Sequence, residues 1–338
     1  MERQIQFIGE SSNFLDAVER ASRAAALDRP VLVIGERGTG KELIAERLHH
    51  LSPRWGQPLI VMNCAALPET LIEAELFGHE AGSFTGAAKG RAGRFEEADG
   101  GTLFLDELGS LSQPAQDRLL RAIEYGEITR IGASRPIRVD VRIVAATNES
   151  LPAMVEQGRF RADLLDRLSF EVVTLPPLRA RGEDVMVLAD YFGRRMASEL
   201  GWDGWPGFSK PAIQLLESYD WPGNVRELRN VVERAVYRCN DPMNCVGTIV
   251  FDPFESPWSP RASQPAPVQA SQSAGEAPLI AVEITPDTSD FRTSVAHYER
   301  KLLAHALEAN RFNQRATAQA IGLSYDQLRH AMKRHALG

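Results

Sequence analysis

Chemistry first becomes legible at Gly35-Glu36-Arg37-Gly38-Thr39-Gly40-Lys41, a Gly-x4-Gly-Lys run that follows the apolar stretch Val31–Ile34 and opens a helical pattern. In that setting the glycines let backbone N–H groups wrap phosphates at a helix N-terminus. Lys41 then reaches the terminal phosphates as a point charge. A chance glycine turn is the competing reading, and the strand–loop–helix context makes it the weaker one. Glu42 stands where the general motif carries Ser or Thr for magnesium, and its carboxylate can approach the ion through water. A second element is Gly101-Thr102-Leu103-Phe104-Leu105-Asp106-Glu107. It delivers two adjacent carboxylates to the carboxyl end of a buried strand, where α/β sheets bind ligands. There Asp106 would hold Mg2+ and Glu107 would polarise the attacking water. An isolated Asp-Glu pair, by contrast, is usually a solvated turn. Thr147-Asn148 close another strand and would lie beside a γ-phosphate, or else cap the helix before Leu151. Arg161 and Arg167 flank a short helix over 160–168, and their spacing points them in different directions. They are either surface arginines or groups supplied in trans to a neighbour's phosphoryl transfer.

These groups need an α/β scaffold. Apolar strands at 31–34, 59–62, 102–105 and 141–146 alternate with helical patterns around 41–51, 68–77 and 114–124. That order implies a parallel sheet covered by helices on both faces, over residues 1–178. From 179 to 250 the pattern turns helical (183–200, 209–218, 223–238), which reads as a small lid. Residues 251–290 are rich in Pro, Ser, Gln and Ala, too poor in apolar surface to offset their ordering entropy, and are expected to tether residues 291–338 to the body.

The chain has 338 residues with net charge −7, 43% hydrophobic and 25% charged, a globular composition. It holds no run near 18 uncharged apolar residues and no apolar N-terminal stretch, so a spanning or secreted protein is not expected. Three cysteines without a CxxC pair point to a cytoplasmic chain with reduced thiols. The average charge hides a split. Residues 291–338 carry eight Lys/Arg against three Asp/Glu, a net +5 on a body of net −12. A basic end on an acidic body points to nucleic acid. In that end, 297–308 reads as a helix with Tyr298, Leu302, Leu303 and Leu307 on its apolar side. Then come 313–321, a break at Gly322-Leu323-Ser324, and a second helix over 325–337. Helix, glycine turn, Ser cap and helix form a helix-turn-helix signature, with a protein-docking module as the alternative. Gln314, Arg315, Ser324, Tyr325, Gln327, Arg329, His330, Lys333 and Arg334 are its candidate groove and phosphate contacts.

Three segments now carry a resemblance: the run from Gly35 to Glu42, Glu75-Leu76-Phe77-Gly78-His79-Glu80-Ala81-Gly82-Ser83-Phe84-Thr85-Gly86-Ala87, and Trp221-Pro222-Gly223-Asn224-Val225-Arg226-Glu227-Leu228. Together they resemble the AAA+ domain of bacterial enhancer-binding proteins, the activators of sigma-54 RNA polymerase. The tail resembles the Fis-type domain that ends many of them. The resemblance implies a P-loop NTPase fold with a helical lid, ATP and Mg2+ as cofactors, and a homo-hexameric ring. Its implied partners are sigma-54 RNA polymerase holoenzyme and enhancer DNA. By the same resemblance Asn63 would sense Glu107, Arg161 and Arg167 would be trans fingers, and Arg226 would read nucleotide from the lid. Gly82, Ser83, Phe84, Thr85, Gly86 and Ala87 match the family's GAFTGA loop with Ser in place of the first Ala, and would engage sigma-54. Little precedes the ATPase core, since Phe7-Ile8-Gly9-Glu10 already resembles its start. That architecture is similar to the branch that activates phage shock (envelope stress) operons. It implies restraint in trans by a negative regulator, for which Trp55 is a candidate docking aromatic if it is not buried. A DNA-binding regulator using ATP only as a switch, or a general AAA+ remodeller, are the rival readings. Asp106, Glu107 and the two arginines argue against the first, and the 82–87 loop against the second.

Overall fold

The computed structural model describes residues 7–83, 89–239, 241–254, 291–310 and 312–335. Phe84, Thr85, Gly86 and Ala87, and the expected tether over 255–290, lie outside the described residues. The chain divides into two compact units, Met1–Ser259 and Pro260–Gly338.

The first unit opens with α1 (Ser12–Ala25), β1 (Val31–Ile34), α2 (Lys41–His50), β2 (Leu59–Asn63), α3 (Glu69–Phe77), α4 (Arg94–Glu97), β3 (Thr102–Asp106) and α5 (Gln113–Tyr125). A small hairpin of β4 (Glu127–Ile128) and β5 (Ile137–Arg138) comes next, then β6 (Arg142–Thr147), α6 (Leu151–Glu156), α7 (Ala162–Leu168) and β7 (Glu171–Thr174). Three more helices, α8 (Gly182–Glu199), α9 (Lys210–Ser218) and α10 (Asn224–Arg238), form the lid. Five of the strands make one parallel sheet in the order β2-β3-β6-β1-β7. Because strand side chains alternate between faces, Leu103 and Leu105 of β3 pack on one side among residues of α3, α5, α6 and α7. Phe104 enters the opposite cluster with α1 and α2. The expected sheet with both faces covered is therefore the one observed. The edge strand β7 was not expected, because its Glu171 breaks an otherwise apolar run.

The sheet contains a charge that its strand pattern conceals. Arg142, 3% exposed, sends Nη2 to the carbonyl of Ala24 (2.9 Å) and Nη1 to those of Ala25 (2.9 Å) and Leu48 (3.4 Å). It thereby adds a donor to carbonyls at the C-terminal ends of α1 and α2, where the helix ladder runs out of amides. Burial lowers its pKa.

A second buried charge joins sheet and lid. Asp184, fully buried in the first turn of α8, accepts from the Glu10 amide (2.6 Å), the Ser11 amide (2.9 Å), the Ser11 hydroxyl (2.7 Å) and Arg181 Nε (2.8 Å). The chain entering α1 is thus pinned to the lid. The lid core is a separate cluster around Trp221, whose indole N–H donates to the Leu216 carbonyl at 2.9 Å.

The second unit contains α11 (Phe291–Ala309), α12 (Gln314–Ala320) and α13 (Tyr325–Arg334). Leu303, Leu307, Ala318, Leu328 and Met332 form its core. Tyr298 and Leu302, expected on the apolar side of the first helix, are 53% and 46% exposed. Within the described residues of this unit, α12 and α13 cover a narrow stripe of α11 at Leu303 and Leu307, and these two residues flank it.

Candidate functional site

β1 runs directly into the glycine loop, which β6 steadies: the Gly35 amide donates to the Thr147 carbonyl at 3.1 Å. Gly38 (φ 78°) and Gly40 (φ 98°) take left-handed conformations that L side chains disfavour. At Gly38 a side chain is also barred by space, since a Cβ would lie 2.3 Å from the Gly223 carbonyl of the lid. Thr39 is buried and its hydroxyl donates to the Glu36 carbonyl at 2.8 Å. Lys41 opens α2 and is likewise buried, with its ammonium folded onto the carbonyls of Gly35 (2.9 Å) and Glu36 (3.4 Å). Burial lowers its pKa, while the charges of Glu107 and Asp106 act in the opposite direction. Glu42, in the same first turn, is exposed.

β3 carries the acids to the sheet's carboxyl edge. Asp106 Oδ2 accepts from Asn63 Nδ2 at 3.4 Å, whereas Oδ1 is buried with no hydrogen-bond partner among the described residues. A buried carboxylate oxygen without a donor is costly unless a cation or water meets it, so this donor set fits a hard divalent ion. Glu107 sits at φ 53°, a strained conformation for a non-glycine residue. Its neighbours differ from the expectation. Asn63 reaches Asp106, and Glu107 is met by Asn148 and Arg37. In the amide orientation that satisfies both its atoms, Asn148 donates to Glu107 Oε2 (2.6 Å) and accepts from Arg37 Nε (3.3 Å). Arg37 Nε also lies 3.8 Å from Glu107 Oε1. Thr147 is buried, its hydroxyl accepting from the Glu149 amide at 3.0 Å. Burial, with Asp106 and Glu107 adding to it, pushes the neighbouring Cys64 thiol up to about 12, which makes it inert.

Two lid residues that sequence reasoning did not single out close over the loop. Arg179 forms a two-pronged pair with Glu36 (2.9 and 2.6 Å). Asn224, fully buried at φ 54°, donates to Glu36 Oε2 (3.1 Å) and the Arg37 carbonyl (3.0 Å) and accepts from the Leu178 amide (2.7 Å). Arg179 first, then Asn224, hold the Glu36 carboxyl at about 2. Asn224 belongs to the Trp-Pro-Gly-Asn stretch of the lid. That stretch carried the family resemblance and a Pro-Gly turn before a helical pattern, but neither pointed to a contact with Glu36. Arg226, two residues on, is exposed, and its Cβ lies 3.1 Å from where a Gly38 Cβ would be.

The two candidate fingers do not reach this site within the chain. Arg161, the N-cap of α7, pairs with Asp163 (2.9 and 2.6 Å) and with Asp117. Arg167 pairs with Glu124 at 2.8 Å. Elsewhere on this unit, Gly82 (φ 79°) has no atom of the described residues within 4 Å of its Cβ position. Ser83, whose hydroxyl is buried without a hydrogen-bond partner among the described residues, is the last of them before residue 89. Trp55 is 64% exposed, with its indole N–H on His50 Nδ1 at 2.9 Å.

In the second unit the break between α12 and α13 is built as expected, with Gly322 at φ 70°. Ser324 caps α13, accepting from the Gln327 amide at 3.2 Å, and Gln327 Oε1 accepts in return from the Ser324 amide at 2.9 Å. The Gln327 side chain is therefore engaged in its own helix start. Arg334 pairs with Glu299 at 3.1 Å, and Arg315 stacks over the Tyr325 ring, whose hydroxyl donates to Gln314 Oε1 at 3.3 Å. Arg329, His330 and Lys333 are exposed and Leu328 and Met332 buried, so the polar face of α13 stays open.

Known proteins resemble this chain in three stretches. Residues 7–174 match the family described as the sigma-54 interaction domain, residues 179–249 the AAA+ ATPase lid domain, and residues 294–335 the bacterial regulatory protein Fis family. The chain is 49% identical over 330 residues to the Psp operon transcriptional activator of Escherichia coli K12, covering 98% of both. It is 42% identical to the anaerobic nitric oxide reductase transcription regulator NorR of Klebsiella pneumoniae, covering 99% of this chain and 63% of that one. Among solved structures, NtrX from Brucella abortus in complex with ATP is similar with a TM-score of 0.68 at 28% identity, over 98% of this chain and 70% of NtrX. Its ADP complex gives 0.67 at 29%, over 98% and 69%.

Proposed function

Since the chain belongs to the sigma-54-dependent transcriptional activators, an AAA+ ATPase family with a helix-turn-helix DNA-binding domain, we propose that it hydrolyses ATP to remodel sigma-54 RNA polymerase at promoters, while its tail holds it on upstream enhancer DNA. The observation that carries this reading is the meeting, at one sheet edge, of the Gly35–Lys41 loop with Asp106 and Glu107. Backbone amides and Lys41 would bind the phosphates, and Asp106, with its unpartnered oxygen, would hold Mg2+. A bound Mg2+ would neutralise charge on the phosphates. Glu107, steadied by Asn148, would take the proton of the attacking water. Arg226 would face bound nucleotide from the lid.

Hydrolysis needs positive charge at the transferred phosphoryl, and Arg161 and Arg167 are turned away from their own loop onto acids of α5 and α7. This supports catalysis between neighbours in a ring, which we take to be a hexamer. The left-handed backbone at Gly82, which opens the segment matching the family's loop, supports a role for residues 82–87, Ser83 included, in engaging sigma-54. The two units support separate duties, ATP work in 1–250 and DNA binding in 291–338, joined by 251–290. Likeness to the Psp operon activator over 98% of both chains supports a phage shock operon as the target and a separate negative regulator. The exposed Trp55 would dock that regulator. All of this would take place in the cytoplasm.

The deciding experiment is open-complex formation on a sigma-54 promoter with polymerase, this protein and ATP. The full chain should open the promoter. Glu107→Ala should bind ATP but neither hydrolyse it nor open DNA, and Lys41→Ala should lose ATP binding itself. Normal turnover in Glu107→Ala would overturn the assignment.

A further inference from the structure

The lid residue Asn224 makes three hydrogen bonds while fully buried, and they run to three different places. Its carbonyl oxygen accepts from the amide of Leu178, where the chain passes from sheet to lid (2.7 Å). Its amide nitrogen donates to Glu36 Oε2 (3.1 Å) and to the Arg37 carbonyl (3.0 Å), both inside the phosphate loop. A primary amide has two N–H donors and one acceptor oxygen, so this side chain is fully matched to its surroundings. The turn that presents it is costly: Trp221 and Asn224 both sit at positive φ (52° and 54°), on either side of Pro222-Gly223. Strain of this kind persists where surrounding contacts over-determine it.

The neighbouring groups make the arrangement directional. Glu36 is held by Arg179 as well, so its two carboxylate oxygens are both engaged by the lid. The Gly223 carbonyl presses on Gly38 so closely that no side chain fits there. Arg37, whose carbonyl Asn224 fixes, carries the guanidinium that meets Asn148 and Glu107. A displacement of the lid turn must therefore move the loop that would hold phosphate.

We propose that Asn224 is a positioning residue that locks the phosphate loop to the lid, holding Glu36 and Arg37 so that the Gly38–Lys41 segment keeps its nucleotide-receptive shape. The proposal deepens the ATPase reading and rests on it. It assigns Asn224 no contact with nucleotide; Asn224 acts through the loop.

Asn224→Asp tests it in the full chain. The introduced carboxylate keeps the acceptor for the Leu178 amide but removes both donations to the loop and opposes the charge of Glu36. Affinity for a fluorescent ATP analogue should fall about tenfold or more, as expected when buried acceptors lose their donors. Turnover at saturating ATP should change far less. Two further readouts separate locking from mere structural support. Acidification should bring the variant's affinity back toward that of the unaltered chain, because the protonated acid regains one donor. Glu36→Gln placed on the Asn224→Asp background should raise affinity above that of Asn224→Asp alone, since its amide can donate to the new carboxylate while its remaining oxygen still accepts from Arg179. Thermal melting is followed in parallel. Unchanged affinity in Asn224→Asp overturns the proposal. So does a lowered melting temperature with affinity that responds neither to pH nor to the second change. If Asn224→Asp does not fold, Asn224→Ala, which removes the same two donations without adding a charge, takes its place: ATP affinity lowered about tenfold with turnover at saturating ATP kept supports the lock, and unchanged affinity overturns it. If the unaltered chain binds no ATP, the ATPase reading fails and this proposal falls with it, whereas intact binding with no effect of Asn224 removes the lock alone.

Discussion

Asp184→Asn should loosen the joint between the sheet unit and the lid, and the structure sets how much. The Asp184 and Arg181 side chains are 0% and 3% exposed and 2.8 Å apart. The aspartate also receives the Glu10 amide, the Ser11 amide and the Ser11 hydroxyl. Asparagine keeps the shape and part of the accepting capacity but leaves the Arg181 guanidinium buried without its counter-charge. Removing one partner of a buried pair costs about 3–5 kcal/mol. At roughly 2–4 °C per kcal/mol for a domain of this size, the melting temperature should fall by about 6–20 °C. Differential scanning calorimetry of the full chain measures it, with Arg229→Ala as the control. That residue's pair with Glu233 is exposed, with side chains 48% and 28% accessible, and exposed pairs contribute about 0–1 kcal/mol. Acid provides an independent check. Burial opposes the Asp184 charge, but the Glu10 and Ser11 amides, Arg181 and the Ser11 hydroxyl outweigh it and hold the carboxyl below its usual range. A depressed carboxyl contributes its full stability above the unfolded pKa of about 3.9 and loses it as pH falls through the folded value. The gap between the unaltered chain and Asp184→Asn should therefore be widest near neutrality and shrink below pH 4. A shift no larger than that of Arg229→Ala, or a gap that grows on acidification, would mean that Asp184 does not hold the joint.

If Arg161 and Arg167 act between subunits, ATP hydrolysis per chain should rise steeply with protein concentration. Mixing Arg161→Ala with Lys41→Ala chains should recover activity that neither has alone, and flat turnover with no complementation would make both arginines surface groups. In the tail, Lys333→Ala should weaken binding to all DNA sites alike and reduce the salt dependence measured by fluorescence anisotropy. Gln327→Ala should in addition lower the tail's melting temperature, because that side chain closes the capping box with Ser324. A chain ending near Val250 should keep ATPase activity and lose tight DNA binding; equal affinity for promoter DNA would relieve the tail of that role.

The chemistry of this chain was open to reading because it is written in contiguous runs. A phosphate loop between strand and helix, and two acids at a strand end, are local patterns whose geometry follows from backbone conformation. Continuous apolar runs identified β1, β2, β3 and β6, because a strand covered on both faces is apolar throughout, and the helical period identified the lid helices. The Ser324 cap and the glycine break before it were legible for the same reason.

What the tertiary structure decided are the pairings between residues far apart in the chain. Arg142 stands in a strand whose apolar run concealed a buried charge, and only the convergence of two helix ends supplies the carbonyls it needs. The Glu36 side chain finds Arg179 and Asn224 across more than 140 residues. Asp106 rather than Glu107 meets Asn63, because β2 and β3 are in register with Asn63 opposite Asp106. Tyr298 and Leu302 share the apolar character of Leu303 and Leu307, yet which of them is covered depends on where α12 and α13 pack. Local sequence sets the backbone and the burial period, but the desolvation of a charge and the partner that compensates it depend on which distant segments are brought beside it.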